Sequence, residues 1–295
     1  MIGIAIVFSI TPPRRRLRLR ASVSSALVAL AFTNGVACSI LTSTDDLTGG
    51  SDASVDQAVT DGPSSEASSE GSADVPPPRF CSTLSPAPAL CEDFDGTSSF
   101  DAQFSQDLVG SPNTIGADNT SSKSSPRSFF AHINAGSNPG RAYAYMFKTF
   151  AGPVTRISFA FDIMLVDVVS GESSVVAGIV VNDGMPTRHA LALLLSGVDA
   201  QTEETFVAAG VTQYKDKVLS RFPVVKTWSR VEVDMALSPP TMTVKVDGTT
   251  TLDGVALDPS WPTSGSVQIN LGVTYVTSTA GAWLVRYDNV VADPK

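Results

Sequence analysis

The sequence predicts an all-β fold: a two-sheet antiparallel jelly-roll sandwich, preceded by a signal peptide and a disordered linker. Apolar and polar residues alternate with a period of two along most of residues 79–295, and turn signals separate the alternating runs. No amphipathic helix of a dozen residues or more stands out in that region. Many short strands joined by turns are typical of sandwiches and jelly rolls.

Residues 1–37 have the pattern of a secretory signal peptide. The basic run at residues 14–20 precedes an apolar stretch, residues 21–37, which ends in small residues. This stretch is 17 residues long and contains Ser, Thr and Asn, whereas a membrane-spanning helix needs about 20 predominantly apolar residues. We therefore expect export and cleavage rather than a permanent transmembrane anchor.

Cys38 follows this stretch directly. Val36, Ala37 and Cys38 resemble a bacterial lipobox, in which the signal is cut before the cysteine and the thiol receives diacylglycerol. Gly35 stands where such motifs usually carry an aliphatic residue. The resemblance implies a lipoprotein held to the membrane by its lipid anchor only, and Ser39 implies sorting to the outer membrane of a Gram-negative bacterium. The alternative is an ordinary signal peptide followed by an incidental cysteine.

Residues 38–78 form the predicted linker. Residues 43–78 contain eight acidic and no basic residues, are rich in Ser, Gly and Ala, and end in three prolines. Such a segment buries too little apolar surface to offset its ordering entropy, so we expect a disordered, self-repelling tether. The tether resembles those of surface lipoproteins of myxobacteria.

Two further cysteines, Cys81 and Cys91, lie ten positions apart at the start of the predicted domain of residues 79–295. In an exported chain we expect them to form a disulfide, whereas two buried free thiols would fit a cytosolic protein better.

The charge distribution argues against a nucleic-acid partner. After residue 37 the chain carries 15 basic and 29 acidic residues, a formal charge of −14, which repels phosphate backbones. His132 and His189 are the only histidines, and nothing near them in the sequence indicates a zinc site or a catalytic triad.

The alternation is clearest at residues 154–168 and 228–237, where apolar residues occupy every second position. Residues 241–257 read as a strand, an Asp-Gly turn and a second strand. Further strands are expected at residues 128–134, 142–150, 174–182, 189–196, 204–211, 217–222, 266–273 and 283–292.

Three pieces of this domain together resemble a known family. They are "LCEDFDG" (residues 90–96), "WSRVEVDMAL…MTVKVDG" (residues 228–248) and "INLGVT…WLVRYDNVVAD" (residues 269–293). They are similar to concanavalin A-like lectin/glucanase domains, including laminin-G-like domains, over nearly all of residues 80–295. The resemblance implies that the first and last strands are neighbours. It favours non-catalytic carbohydrate binding or adhesion at the cell surface. The alternatives are a glycoside hydrolase or polysaccharide lyase acting on extracellular polysaccharide, and a structural surface module without a small ligand.

The catalytic motif of the glucanase branch is incomplete here. That branch carries Glu-x-Asp-x-Glu on one strand, so that two carboxylates flank the sugar bond. The nearest match has Glu232 and Asp234 but Ala236 in the last position. We therefore assign no catalytic residue, and we interpret the adjacent Glu203 and Glu204 as a loop pair.

Carboxylates at the two ends of the domain are candidate calcium ligands. Glu92, Asp93 and Asp95 belong to the predicted first strand region, and Asp288 and Asn289 belong to the last. If these strands are neighbours, oxygen ligands converge as calcium requires, and related jelly rolls often bind a structural calcium near such residues. The alternative is a set of turn-capping and solvated carboxylates.

Aromatic side chains are candidate platforms for sugar rings, although burial in a sandwich core is the commoner role of an aromatic residue. Trp261, in "PSWPTSG", is predicted to lie in a loop and is the best single candidate for an exposed platform. The other candidates are Trp228, Trp283, Tyr143, Tyr145, Tyr214 and Tyr275.

Overall fold

The computed structural model describes residues 79–96, 102–138, 141–184, 189–196, 199–208 and 211–295. The predicted signal peptide, Cys38 and the predicted tether lie outside the described residues, so cleavage and lipidation stay predictions. In the part of the chain that the structure describes, no helix is long and apolar enough to cross a membrane.

Within these residues the structure is almost entirely β, as the sequence predicts. A short 3-10 helix, Phe80–Thr83, precedes the strands. In chain order, the strands of the described residues are β1 (Leu90–Glu92), β2 (Gln106–Val109), β3 (Thr114–Asp118), β4 (Ser128–Ile133), β5 (Ala144–Val154), β6 (Arg156–Asp167), β7 (Ser173–Asn182), β8 (His189–Ser196), β9 (Ala200–Ala208), β10 (Val211–Val218), β11 (Ser229–Leu237), β12 (Pro240–Val246), β13 (Thr249–Ala256), β14 (Gly265–Val276) and β15 (Trp283–Pro294).

The strands form two antiparallel sheets that pack face to face as a jelly-roll sandwich. Sheet A has the order β13-β12-β11-β6-β15-β4-β3, and β1 pairs with the second half of β15. Sheet B has the order β10-β9-β8-β7-β14-β5-β2. The pairing of Leu90 with Ala292 confirms that the first and last strands are neighbours.

One continuous apolar core fills the space between the sheets. Every second side chain of the central strands points into it, including Phe161 and Tyr287 from sheet A and Ile179 and Ile269 from sheet B. The phenol of Tyr287 donates a hydrogen bond of 2.7 Å to the carbonyl oxygen of Val176, which joins the two sheets.

The hairpin of β9 and β10 differs from its predicted position. The sequence predicts strands at residues 204–211 and 217–222, whereas the observed strands are Ala200–Ala208 and Val211–Val218. All eight residues of β10 are exposed, so the strand carries no alternation of buried and exposed side chains. Without a buried face, periodicity cannot locate a strand.

The predicted disulfide is confirmed. Cys81 and Cys91 are joined with an Sγ–Sγ distance of 2.06 Å and a Cα–Cα distance of 5.7 Å. The bond ties the segment before β1 to β1 itself, which pairs with β15.

Replacing both cysteines with alanine (C81A/C91A) should lower the free energy of unfolding by about 3 kcal/mol, because a short loop in the unfolded chain is no longer closed. Urea denaturation of wild type and variant measures the difference. Reduced wild-type protein is the matched control and should unfold at the same urea concentration as the variant. An unchanged midpoint would contradict a stabilising role for this bond.

Candidate functional site

One row of register partners crosses six strands of sheet B on the face that points away from the core. Leu191 and Leu193 belong to the core, so Ala192 between them points outward, and its register partners point the same way. The row, called the sheet B row below, consists of Phe147, Asn270, Gly178, Ala192, Glu203 and Asp216.

Outward-facing residues near the middle of sheet B are shielded from solvent. Asn270 is 5% exposed, Val180 8% and Leu194 9%. All strands of the described residues belong to the two sheets, so no third layer of strands covers this face. Neighbouring side chains and connections therefore crowd the middle of this face.

The lowest part of this row lies at its two smallest residues. Gly178 and Ala192 lie on the two strands between Asn270 and Glu203. With neighbouring strands about 4.8 Å apart, the two polar residues are separated by about 14 Å. Because glycine and alanine rise less above the sheet than Asn270 and Glu203 do, the row has a low apolar strip between polar side chains, called the sheet B groove below.

Two amides form one wall of the groove. Gln268 Nε2 donates a hydrogen bond of 2.7 Å to Asn270 Oδ1, which fixes the Asn270 amide. Asn270 Nδ2 lies over Gly178, at 3.6 Å from the place where a Cβ atom would stand. No acceptor for Nδ2 occurs among the described residues, so this donor is available to a ligand.

Two carboxylates form the opposite wall. Glu203 and Asp216 are register partners on β9 and β10. Burial raises the pKa of Glu203, and the charge of Asp216 raises it further. Burial also raises the pKa of Tyr275, and the charges of Glu203 and Glu172 add to that effect.

Aromatic rings accompany both walls. Tyr145 is the register partner of Gly272 in sheet B, and the rings of Tyr143 and Tyr145 meet edge to face with centroids 6.3 Å apart. At the opposite edge, Tyr214 on β10 is 47% exposed. Three tyrosines from the aromatic candidates of the sequence, Tyr145, Tyr214 and Tyr275, thus lie on one face.

Trp261 is not the exposed platform that the sequence predicts. Its side chain is only 3% exposed. The indole Nε1 donates a hydrogen bond of 2.5 Å to Glu204 Oε1, which also accepts one of 2.6 Å from the backbone N–H of Asp258. The loop containing Trp261 folds inward because this buried carboxylate satisfies two of its donors.

Glu203 and Glu204 are likewise not a loop pair. Both lie on β9, so successive side chains point to opposite faces. Glu204 faces inward toward Trp261, and Glu203 faces the sheet B groove. Glu204 is therefore a structural carboxylate, whereas its neighbour Glu203 is a candidate functional one.

The carboxylates at the end of β1 and just after it accept hydrogen bonds from backbone N–H groups. Glu92 Oε1 accepts a hydrogen bond of 2.9 Å from the N–H of Phe94, and Asp93 Oδ1 accepts one of 3.3 Å from the N–H of Asp95. Asp95 Oδ1 accepts from the N–H of Arg127 at 3.1 Å. The first two hydrogen bonds are local turn caps, whereas the third joins residues that are 32 positions apart.

Asp288 and Asn289 hold a neighbouring loop. Asp288 Oδ2 accepts hydrogen bonds of 2.8 Å from the N–H groups of Lys123 and Ser124. Asn289 Nδ2 donates to Asp162 Oδ2 at 2.7 Å. Across the described ranges, no group of three or more His, Cys, Asp or Glu side chains is arranged to hold a metal ion. Calcium binding stays a prediction.

Asp288 gives the domain an expected pH dependence. Burial raises its pKa to about 7, against the lowering effect of its hydrogen bonds. Because an unfolded Asp has a pKa of about 4, the folded state binds this proton more tightly, and stability falls as pH rises from about 4 to 7. Denaturant titrations across this range should show the fall, with a smaller slope for Asp288→Asn. An equal slope in both proteins would contradict this assignment.

Glu232 and Asp234 lie on the outer face of sheet A, in a second groove of about 410 Å³ that Ala236 also lines. Asp234 is ion-paired with Arg156, whose Nε lies 2.7 Å from Asp234 Oδ1. Glu232 is the register partner of Lys245. Opposite charges thus balance in this groove, and Ala236 occupies the position of the second Glu of the motif.

The two histidines do not share a site. His132 lies on β4 in sheet A, and His189 lies on β8 in sheet B. His189 packs beside Trp261 with ring centroids 5.3 Å apart, and burial lowers its pKa.

The two sheets and their topology form the antiparallel jelly-roll sandwich that the sequence predicts. The sequence matches no protein-family model and no curated protein. The structure is similar to the endo-β-1,4-glucuronan lyase from the fungus Trichoderma reesei, with a TM-score of 0.56 and 13% identity over 70% of this chain and 96% of the lyase.

Two further solved structures are similar to this chain. One is the cellulose-induced protein Cip1, with a TM-score of 0.49, 12% identity and coverage of 69% of this chain and 96% of Cip1. The other is a GlcNAcα1-4Gal-releasing endo-β-galactosidase from Clostridium perfringens, with a TM-score of 0.49, 9% identity and coverage of 70% and 62%. At these identities the likeness concerns the fold.

Proposed function

We propose that this protein is a surface lipoprotein whose jelly-roll domain binds a glycan in the sheet B groove without cleaving it. The observation that carries the proposal is the low floor of Gly178 and Ala192 between the polar walls at Asn270 and Glu203. A sugar chain presents hydroxyl groups at its edges and C–H groups on its faces, so it needs polar walls beside apolar surface.

The similarity to a structure whose name describes a glucuronan lyase supports a carbohydrate ligand. The aromatic rings on the same face add apolar surface for sugar rings at low entropic cost. In the groove on sheet A, by contrast, the outward positions of the described strands carry small or polar residues and no aromatic ones. These positions are Ser158, Ala160, Glu232, Asp234, Thr241 and Thr243.

A glycan array tests the proposal when it is paired with a screen for polysaccharide degradation, both on the chain lacking residues 1–38. We expect retention of at least one glycan class and no release of reducing ends. Absence of binding across the array would contradict glycan recognition.

An enzymatic alternative rests on Glu203 and Asp216. Cβ atoms of register partners lie about 4.5–5.5 Å apart, which allows their carboxyl groups the short separation of a retaining glycosidase. The raised pKa of Glu203 fits a general acid. Release of reducing ends that Glu203→Gln abolishes, with binding retained, would favour hydrolysis over binding alone.

The cell-surface part of the proposal depends on Cys38. We expect radiolabelled palmitate to enter the wild-type protein in a Gram-negative host and not the Cys38→Ala variant, because only the thiol accepts the diacylglycerol. Cys81→Ala is the matched control and should remain labelled. Labelling that survives Cys38→Ala would contradict the lipid anchor.

A further inference from the structure

On the outer face of sheet B, the described strands carry the acidic residues Glu203 and Asp216 but no basic residue. In the described strands of this sheet, the lysines lie at other positions: Lys148 Nζ donates to the carbonyl oxygen of Gln103 at 2.7 Å, and Lys215 Nζ pairs with Asp258 Oδ2 at 2.6 Å. Lys217 alternates with Asp216 along β10 and so points to the opposite face. Among the described strands of sheet B, no outward lysine or arginine therefore faces Glu203 and Asp216.

Like charges directly opposite each other on neighbouring strands are destabilising. Glu203 and Asp216 occupy such a position, and the pKa of Glu203 is raised in part by the charge of Asp216. A cation between the two carboxylates would remove this repulsion and would form charge-assisted hydrogen bonds with both.

A second observation at the other wall also indicates a ligand. Asn270 is only 5% exposed, and its Nδ2 donor has no acceptor among the described residues. The donor stands over the groove floor at Gly178 and is suited to a hydroxyl or carbonyl oxygen. Because about 14 Å separates the walls, a ligand that contacts both is longer than a monosaccharide.

The same charges disfavour polyuronates. A uronate chain carries one carboxylate per sugar, and in this groove it would meet Glu203 and Asp216 with no base on the outward strand positions described above. Repulsion of this kind opposes binding and raises the pKa of every acid involved. The likeness to a glucuronan lyase thus extends to the fold and not to an anionic ligand.

We propose that the sheet B groove recognises an oligosaccharide with free amino sugars, whose ammonium group lies between Glu203 and Asp216 while a ligand oxygen accepts from Asn270 Nδ2. This inference rests on the proposed glycan-binding function and specifies its ligand class. A free amine differs from an acetamide in charge, so the groove distinguishes deacetylated from acetylated chains.

Calorimetry with two matched oligosaccharides tests this inference. The probes are β-1,4-linked glucosamine oligomers and their fully N-acetylated counterparts of the same length, titrated into the chain lacking residues 1–38 at weakly acidic pH. We expect the amine form to bind about tenfold more tightly, since hydrogen bonds between charged groups contribute about that much. The preference should weaken with added salt and with shortening to the monosaccharide.

Glu203→Gln keeps the shape of the side chain and should abolish the preference for the amine form, as should Asp216→Asn. Glu232→Gln, on the outer face of sheet A, is the control and should leave the preference unchanged. Equal affinity for both probes, or tighter binding of an oligouronate, would overturn the amino-sugar inference and leave glycan binding standing. Failure to bind any glycan would overturn the proposed function as well.

Discussion

Replacing Trp261 with alanine is expected to lower the free energy of unfolding by about 3–5 kcal/mol, the usual cost of removing a buried aromatic side chain. The indole is 3% exposed and lies in the core cluster. Its loss also removes the 2.5 Å hydrogen bond to Glu204 and leaves that carboxylate with one donor fewer in a buried position. Since a domain is stable by about 5–15 kcal/mol, this single change removes a large fraction of the total.

Urea denaturation of Trp261→Ala and Trp228→Ala tests this expectation in a matched pair. Trp228 is only partly buried, so its replacement should cost less. Trp261→Phe should be intermediate, because it keeps an aromatic ring but not the donor to Glu204. A Trp261→Ala variant with wild-type stability and no glycan binding would restore the exposed-platform interpretation.

Replacing Ala192 with leucine is expected to reduce glycan affinity about a hundredfold or more, equivalent to about 2.7 kcal/mol. Ala192 is half-buried on the floor of the sheet B groove and points outward, so the larger side chain fills the groove instead of the core. Leucine offers no aromatic face on which a sugar could stack. The reduction should therefore appear with every glycan that binds.

Ala160→Leu is the control, because Ala160 is also half-buried and outward-facing, but in the groove of sheet A. Both variants should unfold close to wild type, and only Ala192→Leu should lose affinity. Loss of binding in Ala160→Leu alone would show that the ligand binds on the outer face of sheet A instead.

The fold is predictable because its central strands alternate. Phe159 and Phe161 point into the core from β6, while Ser158 and Ala160 point outward. This period of two can be recognised in the sequence alone. The disulfide is predictable for a similar reason, since an exported chain with two nearby cysteines has few other outcomes.

The candidate site is not predictable in the same way. Asn270 lies in an apolar strand, and Glu203 lies in a strand rich in Thr and Glu that carries no hydrophobic period. Their placement in one row depends on the pairing of β14 with β7, and these two strands are distant from each other in the sequence. The loop of Trp261 reads as exposed because it contains Pro and Gly, yet the buried carboxylate of Glu204 draws it inward.

A crystal structure of the domain with a bound oligosaccharide tests the central claim most directly. We predict sugar rings over Gly178 and Ala192, with a ligand oxygen within hydrogen-bond distance of Asn270 Nδ2 and the chain running toward Glu203. Sugar bound over Ala160 on sheet A, or at any place away from the sheet B groove, would contradict the account.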